Sequence, residues 1–141
     1  MDEFYSLGFL LNRASVSLAK SLNSKLAKEK IDLPHSQFIV LRCLYFKDGI
    51  SQLDIANLLS KDAAAIKRTI DNLEKKGFVR RQPVRNLKNN IYITQEGKSI
   101  MPAVIEIANG IIAKSLGDMD NERYKLLIEM LENIHINTEK E

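Results

Sequence analysis

The sequence holds a single cysteine, Cys43, among 141 residues. No internal disulfide can form, which fits a reducing compartment such as the cytoplasm. Only two histidines accompany it, His35 and His135. Those three side chains cannot close a zinc site without carboxylates, so no metal and no cofactor are expected. Glycine and proline are scarce too, at 6 and 3. Their scarcity excludes long loops and favours long helices. No apolar run approaches the roughly 18–20 residues a bilayer span requires, so no membrane partner is expected. Asp2 and Glu3 stand where a secretory leader would be basic, and Asn12 and Arg13 interrupt the apolar stretch behind them. A glycine-rich phosphate loop is missing, as is any serine, cysteine or carboxylate grouping suited to nucleophilic or acid–base chemistry. An enzyme is not expected.

What is present is a globular composition, with 45% hydrophobic and 28% charged residues. The length suits one domain, or one domain plus an assembly element. Net charge is only +3, but it is unevenly placed. Residues 61–90 carry nine basic side chains (Lys61, Lys67, Arg68, Lys75, Lys76, Arg80, Arg81, Arg85 and Lys88) against three acidic ones (Asp62, Asp71 and Glu74). Such a block inside a nearly neutral chain is the footprint of a polyanion partner, or else a solvated basic face.

Hydrophobic spacing sets the order of elements. Phe4, Leu7, Leu11, Ala14, Leu18, Leu22 and Leu26 recur at three- and four-residue steps and predict a helix over 4–28. Leu10 and Val16 widen its stripe beyond one face. Pro34 suits the first turn of a second helix, reaching about Phe46. Lys47-Asp48-Gly49 reads as a turn. Ser51 is an N-cap with Asp54 three residues on, and Ile50 and Ile55 stand at the staple positions, so a third helix covers about 52–59. Ser60-Lys61-Asp62 breaks the pattern before a fourth helix to Lys76, closed by Gly77 in a left-handed cap. The period then drops to two. Phe78–Pro83 and Asn90–Thr94 predict two strands, with Ile91 and Ile93 on one side and Asn90 and Tyr92 on the other. Thr94 caps a fifth helix reaching about Leu116, with Pro102 inside it, and Gly117 ends it. Asp120 caps a sixth, striped by Leu127, Met130, Leu131 and Ile134.

Two short helices, a tight turn and a hairpin make a winged helix-turn-helix, in which the second helix enters the DNA major groove. Its outward face follows from geometry. With Ile66 at zero and about 100° per residue, Ile70 and Leu73 fall within about 40° of it. Ala64, Lys67, Arg68, Asp71 and Lys75 fall on the other side. Ala63 and Ala64 are small enough for the backbone to approach DNA, and the cations can reach guanine edges or phosphates. The candidate DNA contacts are therefore Ala63, Ala64, Lys67, Arg68, Asp71 and Lys75, with Arg81, Arg85 and Lys88 from the hairpin.

Residues 33–97 resemble the MarR family of bacterial transcriptional regulators. The resemblance lies in Leu33-Pro34-His35-Ser36-Gln37-Phe38 and in Ser51-Gln52-Leu53-Asp54-Ile55-Ala56-Asn57-Leu58-Leu59. It continues through the run from Ala65 to Arg81, which includes Asn72-Leu73-Glu74-Lys75-Lys76-Gly77-Phe78-Val79, and ends in Ile93-Thr94-Gln95-Glu96-Gly97. It implies a mainly α, six-helix winged helix-turn-helix protein with a small β-hairpin wing, working as a homodimer. In that plan residues 33–97 bind double-stranded DNA, and residues 1–32 and 98–141 form the helical dimerisation region. Leu7, Leu10, Leu11, Ile107, Ile111, Leu127 and Leu131 are the expected dimer contacts. The resemblance also implies a pseudo-palindromic operator, read by two helices roughly 34–36 Å apart. A small aromatic or lipophilic ligand releases DNA in many members.

One departure stands out. The family's wing usually carries Asp-x-Arg, and here those positions hold Arg85 and Leu87. The expected wing contribution is therefore plain phosphate attraction through Arg85 and Lys88. The alternative function is a winged-helix module for protein interaction without operator binding. Cys43, within the second helix, is read as a structural side chain. His35 and His135 are read as surface or capping residues, and Tyr92 as either a packing or a DNA-backbone contact.

Overall fold

The computed structural model describes residues 5–85 and 89–140. Helix α1 spans Leu7–Lys28, α2 His35–Phe46, α3 Gln52–Leu59, α4 Ala63–Lys75, α5 Gln95–Leu116 and α6 Asn121–Glu139. Strands β1 (Ile50–Ser51), β2 (Val79–Pro83) and β3 (Asn89–Ile93) form one antiparallel sheet in the order β1-β3-β2. Six helices and a small sheet agree with the expected fold class. The described chain clusters into two compact units, one ending at Ile111 and the other beginning at Ile112.

Most boundaries are set by side chains within one turn. Ser51 Oγ accepts from the Asp54 N–H at 3.1 Å and starts α3. Asp62 Oδ1 accepts from the Ala65 N–H at 2.8 Å and starts α4. Ser60, in the left-handed region at φ 51°, supplies the reversal between them. Gly77, at φ +81°, ends α4. Thr94 Oγ1 donates to the Gly77 carbonyl at 2.6 Å and accepts from the Gly97 N–H at 3.1 Å. One hydroxyl thus joins the end of α4, the end of β3 and the start of α5.

Three expectations need correction. The hairpin of β2 and β3 is not alone, because Ile50 pairs with Ile91 and Ser51 with Asn90. Local spacing marks those two residues only as a staple and a cap, but their backbones also satisfy the open edge of β3. The first helix begins at Leu7, because Ser6 caps it by accepting from the Phe9 N–H at 3.4 Å. Phe4 lies outside the described residues. Finally, α5 is long and apolar enough, by length and composition, to cross a bilayer. Glu96, Lys98 and Glu106 keep its continuous apolar runs short, so only its average qualifies. Met101 and Val104 on this helix are nonetheless wholly buried in the protein core.

That core lies in the first unit. Leu22 and Leu26 of α1, Val40, Leu41 and Leu44 of α2, Ile55 of α3, and Ile66, Ile70 and Leu73 of α4 meet Val79, Ile91 and Ile93 of the sheet. Each fully buried Leu or Ile contributes about 1.5–3 kcal/mol relative to exposure. The same packing holds α4 by its inner face and leaves its outer face to solvent. In the second unit, Asp120 Oδ1 accepts from the Arg123 N–H at 2.8 Å and caps α6. No residue of α6 is buried, and Leu126, Ile128, Met130, Leu131, Ile134 and Ile136 are exposed.

Candidate nucleic-acid interface

The site begins with the two faces of α4. Ile66, Ile70 and Leu73 are buried, as their spacing requires. Ala63, Ala64, Lys67, Arg68 and Lys75 are exposed, and Asp71 is partly so. The helix-turn-helix therefore presents two small residues and then three cations, in the order read from the sequence. Arg68 and Lys75 have no ion-pair partner among the described residues. Asp62, capping the first turn, places its carboxylate where the helix dipole is positive.

Lys67 is restrained. Its Nζ lies 3.1 Å from Asp71 Oδ2, one turn along α4. The other Asp71 oxygen, Oδ1, receives Arg81 Nη2 from β2 at 2.6 Å. Arg81 Nη1 donates to Glu74 Oε1 at 2.8 Å, and its Nε and Nη2 both lie 3.2 Å from Gln52 Oε1 on α3. The Arg81 N–H completes the cluster by donating to Glu74 Oε2 at 3.3 Å. Hydrogen bonds from Lys67 and then Arg81 hold the Asp71 carboxyl below the usual aspartate range.

The other hairpin residues are arranged differently. Arg80 stacks its guanidinium 4.7 Å above the Tyr92 ring and donates to Gln82 Oε1 at 2.8 Å. Tyr92 in turn packs on Gly49, where a Cβ would lie 2.8 Å from its ring. That agrees with its packing reading. Arg85 is exposed at the wing. Lys88, and Leu87 at the family's arginine position, lie outside the described residues.

Sequence reasoning placed the face of α4 but missed Gln52 and Glu74, the two further partners of Arg81. Glu74 was visible as an acidic residue on the right helix. Gln52 carried no local signal, since it meets Arg81 from 29 positions away.

The expected dimer contacts sit largely in solvent in the single chain. Leu7 and Leu131 are exposed, and Leu10, Leu11 and Leu127 are half-buried. Ile107 and Ile111 pack partly against the core. Cys43 is half-buried, and burial pushes its thiol up against the opposing pull of Lys47 and Arg42. His35 is half-buried, and its backbone N–H donates to Asn23 Oδ1 at 2.7 Å, tying α1 to the start of α2.

A model of the MarR family matches residues 33–86, the stretch from the α1–α2 linker to the wing. Over that stretch the chain is similar to the MarR family. Among curated proteins it is 26% identical over 102 residues to the transcriptional regulator HosA of Escherichia coli O111:H-, covering 71% of this chain and 76% of that one. Among solved structures it resembles a putative MarR-family transcriptional regulator of Listeria monocytogenes complexed with a 26mer DNA. The TM-score is 0.85 at 21% identity, covering 94% of this chain and 88% of that one. CouR of Rhodococcus jostii RHA1, bound to p-coumaroyl-CoA, gives a TM-score of 0.82 at 21% identity, with 92% and 91% covered. At these identities the two structures share the family fold with this chain.

Proposed function

We propose that the protein is a homodimeric transcriptional repressor that binds a pseudo-palindromic DNA operator through α4. The observation that carries this reading is the outer face of α4. It opens on Ala63 and Ala64, continues with Lys67, Arg68 and Lys75, and stands opposite a fully buried apolar face. Small residues admit the backbone to the groove, and the cations supply both guanine and phosphate contacts. The DNA carried by the Listeria relative supports the same use of the fold. Arg85 and Lys88 add phosphate attraction from the wing.

Residues 33–97 form the DNA-binding part, and residues 1–32 and 98–141 the dimerisation part. The apolar surface of α6 and the start of α1 supports that division, because a monomer gains nothing from exposing it. A small aromatic or lipophilic ligand releases the operator, a reading supported by the aromatic acyl-CoA bound to CouR. Genomic DNA as the partner places this work in the cytoplasm, and no reaction is catalysed.

The test is fluorescence anisotropy with DNA from upstream of the protein's own coding region, against a random duplex, across a salt series. Tight, salt-dependent and sequence-dependent binding is expected. Arg68→Ala should cost about 1–3 kcal/mol at the operator and relax base preference. Unchanged affinity and preference in that variant reject α4 as the reader. Binding to neither duplex would assign the basic face to a protein partner instead.

A further inference from the structure

A guanidinium carries five N–H groups in one rigid plane. In Arg81 four of the five possible donations are directed into the protein, two to Gln52 Oε1 and one each to Asp71 and Glu74. The side chain is only 17% exposed. To reach a phosphate it would have to leave two carboxylates and strand both beside a polyanion. The far oxygen of Asp71 holds the Lys67 ammonium, whose side chain is 64% exposed. A continuous line therefore runs from Gln52 on α3, through Arg81 on β2 and Asp71 on α4, to a cation on the outer face.

We infer that Arg81 is a positioning residue that does not touch DNA but aims Lys67 through Asp71, making Lys67 a base-reading contact of fixed direction. This rests on α4 being the DNA reader. It revises the role of two candidate contacts, Arg81 and Asp71, together. Arg81 cancels the Asp71 carboxylate, which would otherwise repel phosphate, and turns it into a bracket for Lys67. A charged lysine is a flexible point charge and reads bases poorly unless held. The cluster also locks β2 to the start of α3, so the wing strand and the turn of the helix-turn-helix set the bracket jointly.

The experiment compares wild type, Arg81→Met, Arg81→Met/Asp71→Asn and Arg81→Lys. Each is measured on operator and random duplexes over a salt series, with far-UV dichroism and thermal midpoint as checks of folding. In Arg81→Met/Asp71→Asn the guanidinium and the Asp71 carboxylate are lost together, so the net charge of the face is unchanged while Glu74 stays ionised. That variant's random-duplex affinity and salt slope should match wild type, while the ratio of operator to random affinity falls roughly tenfold, the worth of one base-reading contact. Arg81→Lys keeps the charge but not the fork, and should lose the same discrimination. Should Arg81→Met fail to fold, Arg81→Lys alone decides between the roles. A salt slope in Arg81→Met/Asp71→Asn lower than wild type by about one would show that Arg81 itself neutralises a phosphate, and would overturn the inference. So would full discrimination in Arg81→Lys. Wild type failing to bind either duplex is a separate outcome, which removes the DNA reading of α4 and this inference with it.

Discussion

The Lys76 ammonium sits 2.6 Å from Oε1 of Gln37. Among the described residues Gln37 is the buried polar one, at 8% exposure. Lys76 also donates to the Asp32 carbonyl at 2.8 Å and lies 3.2 Å from the Asp32 carboxylate. It caps the C-terminus of α4, while Asp32 belongs to the α1–α2 linker and Gln37 to the first turn of α2. The far end of α4 is thereby pinned to elements that precede it by about forty positions.

Lys76→Met should therefore leave Gln37 Oε1 without a partner. An unsatisfied buried acceptor costs about 1–3 kcal/mol. Gln37→Leu in the same background should recover part of that loss, because both polar groups are then gone. Urea denaturation of the two single variants and the double variant measures it. A double variant no more stable than Lys76→Met would show that the bond contributes little.

Gly97 stands where the start of α5 crosses the base of the wing. A Cβ there would overlap the Phe78 carbonyl oxygen and approach Ile93 Cγ1 to 2.8 Å. The neighbour is backbone and cannot move aside cheaply. Gly97→Ala should cost about 1–3 kcal/mol or more by overpacking. An unchanged thermal midpoint would contradict the close approach.

The exposed Leu126, Ile128, Met130, Leu131, Ile134 and Ile136 of α6 are expected to be covered in a dimer. Large apolar interfaces of this kind often leave no stable monomer. Sedimentation velocity should find a dimer at micromolar concentration. Leu127→Glu/Leu131→Glu should dissociate or unfold it. A well-folded wild-type monomer at that concentration rejects an obligate dimer.

Burial, and then the nearby Lys61 charge, lower the His35 pKa below the ordinary value near 6.5. A histidine depressed in the folded state is protonated first in the unfolded chain. Its contribution is therefore complete above about pH 6.5 and is lost as pH falls through the folded value. The thermal midpoint of wild type should decline from neutrality toward pH 5.5, and that of His35→Gln should decline less. Identical slopes would mean that His35 titrates alike in both states.

Much of the molecule was legible one turn at a time. Ser51, Gly77, Thr94 and Asp120 mark helix ends because a cap needs only the backbone within three or four residues. The two faces of α4 followed from the helical period alone, so Lys67, Arg68 and Lys75 were placed in solvent opposite Ile66, Ile70 and Leu73. The family resemblance lay in the same local runs, from Leu33 to Gly97.

What only the tertiary structure decided lies across longer separations. Ile50 and Ser51 joined the sheet because β3 had an open edge beside them, which no spacing within Ile50–Leu59 could reveal. Arg81 counted as one more cation in a basic block until folding brought Asp71, Glu74 and Gln52 to it from 10, 7 and 29 positions away. A charge count treats every guanidinium as available to a partner. A fork with four of its five donations already made inside the protein is not available, and only packing determines which arginine that is.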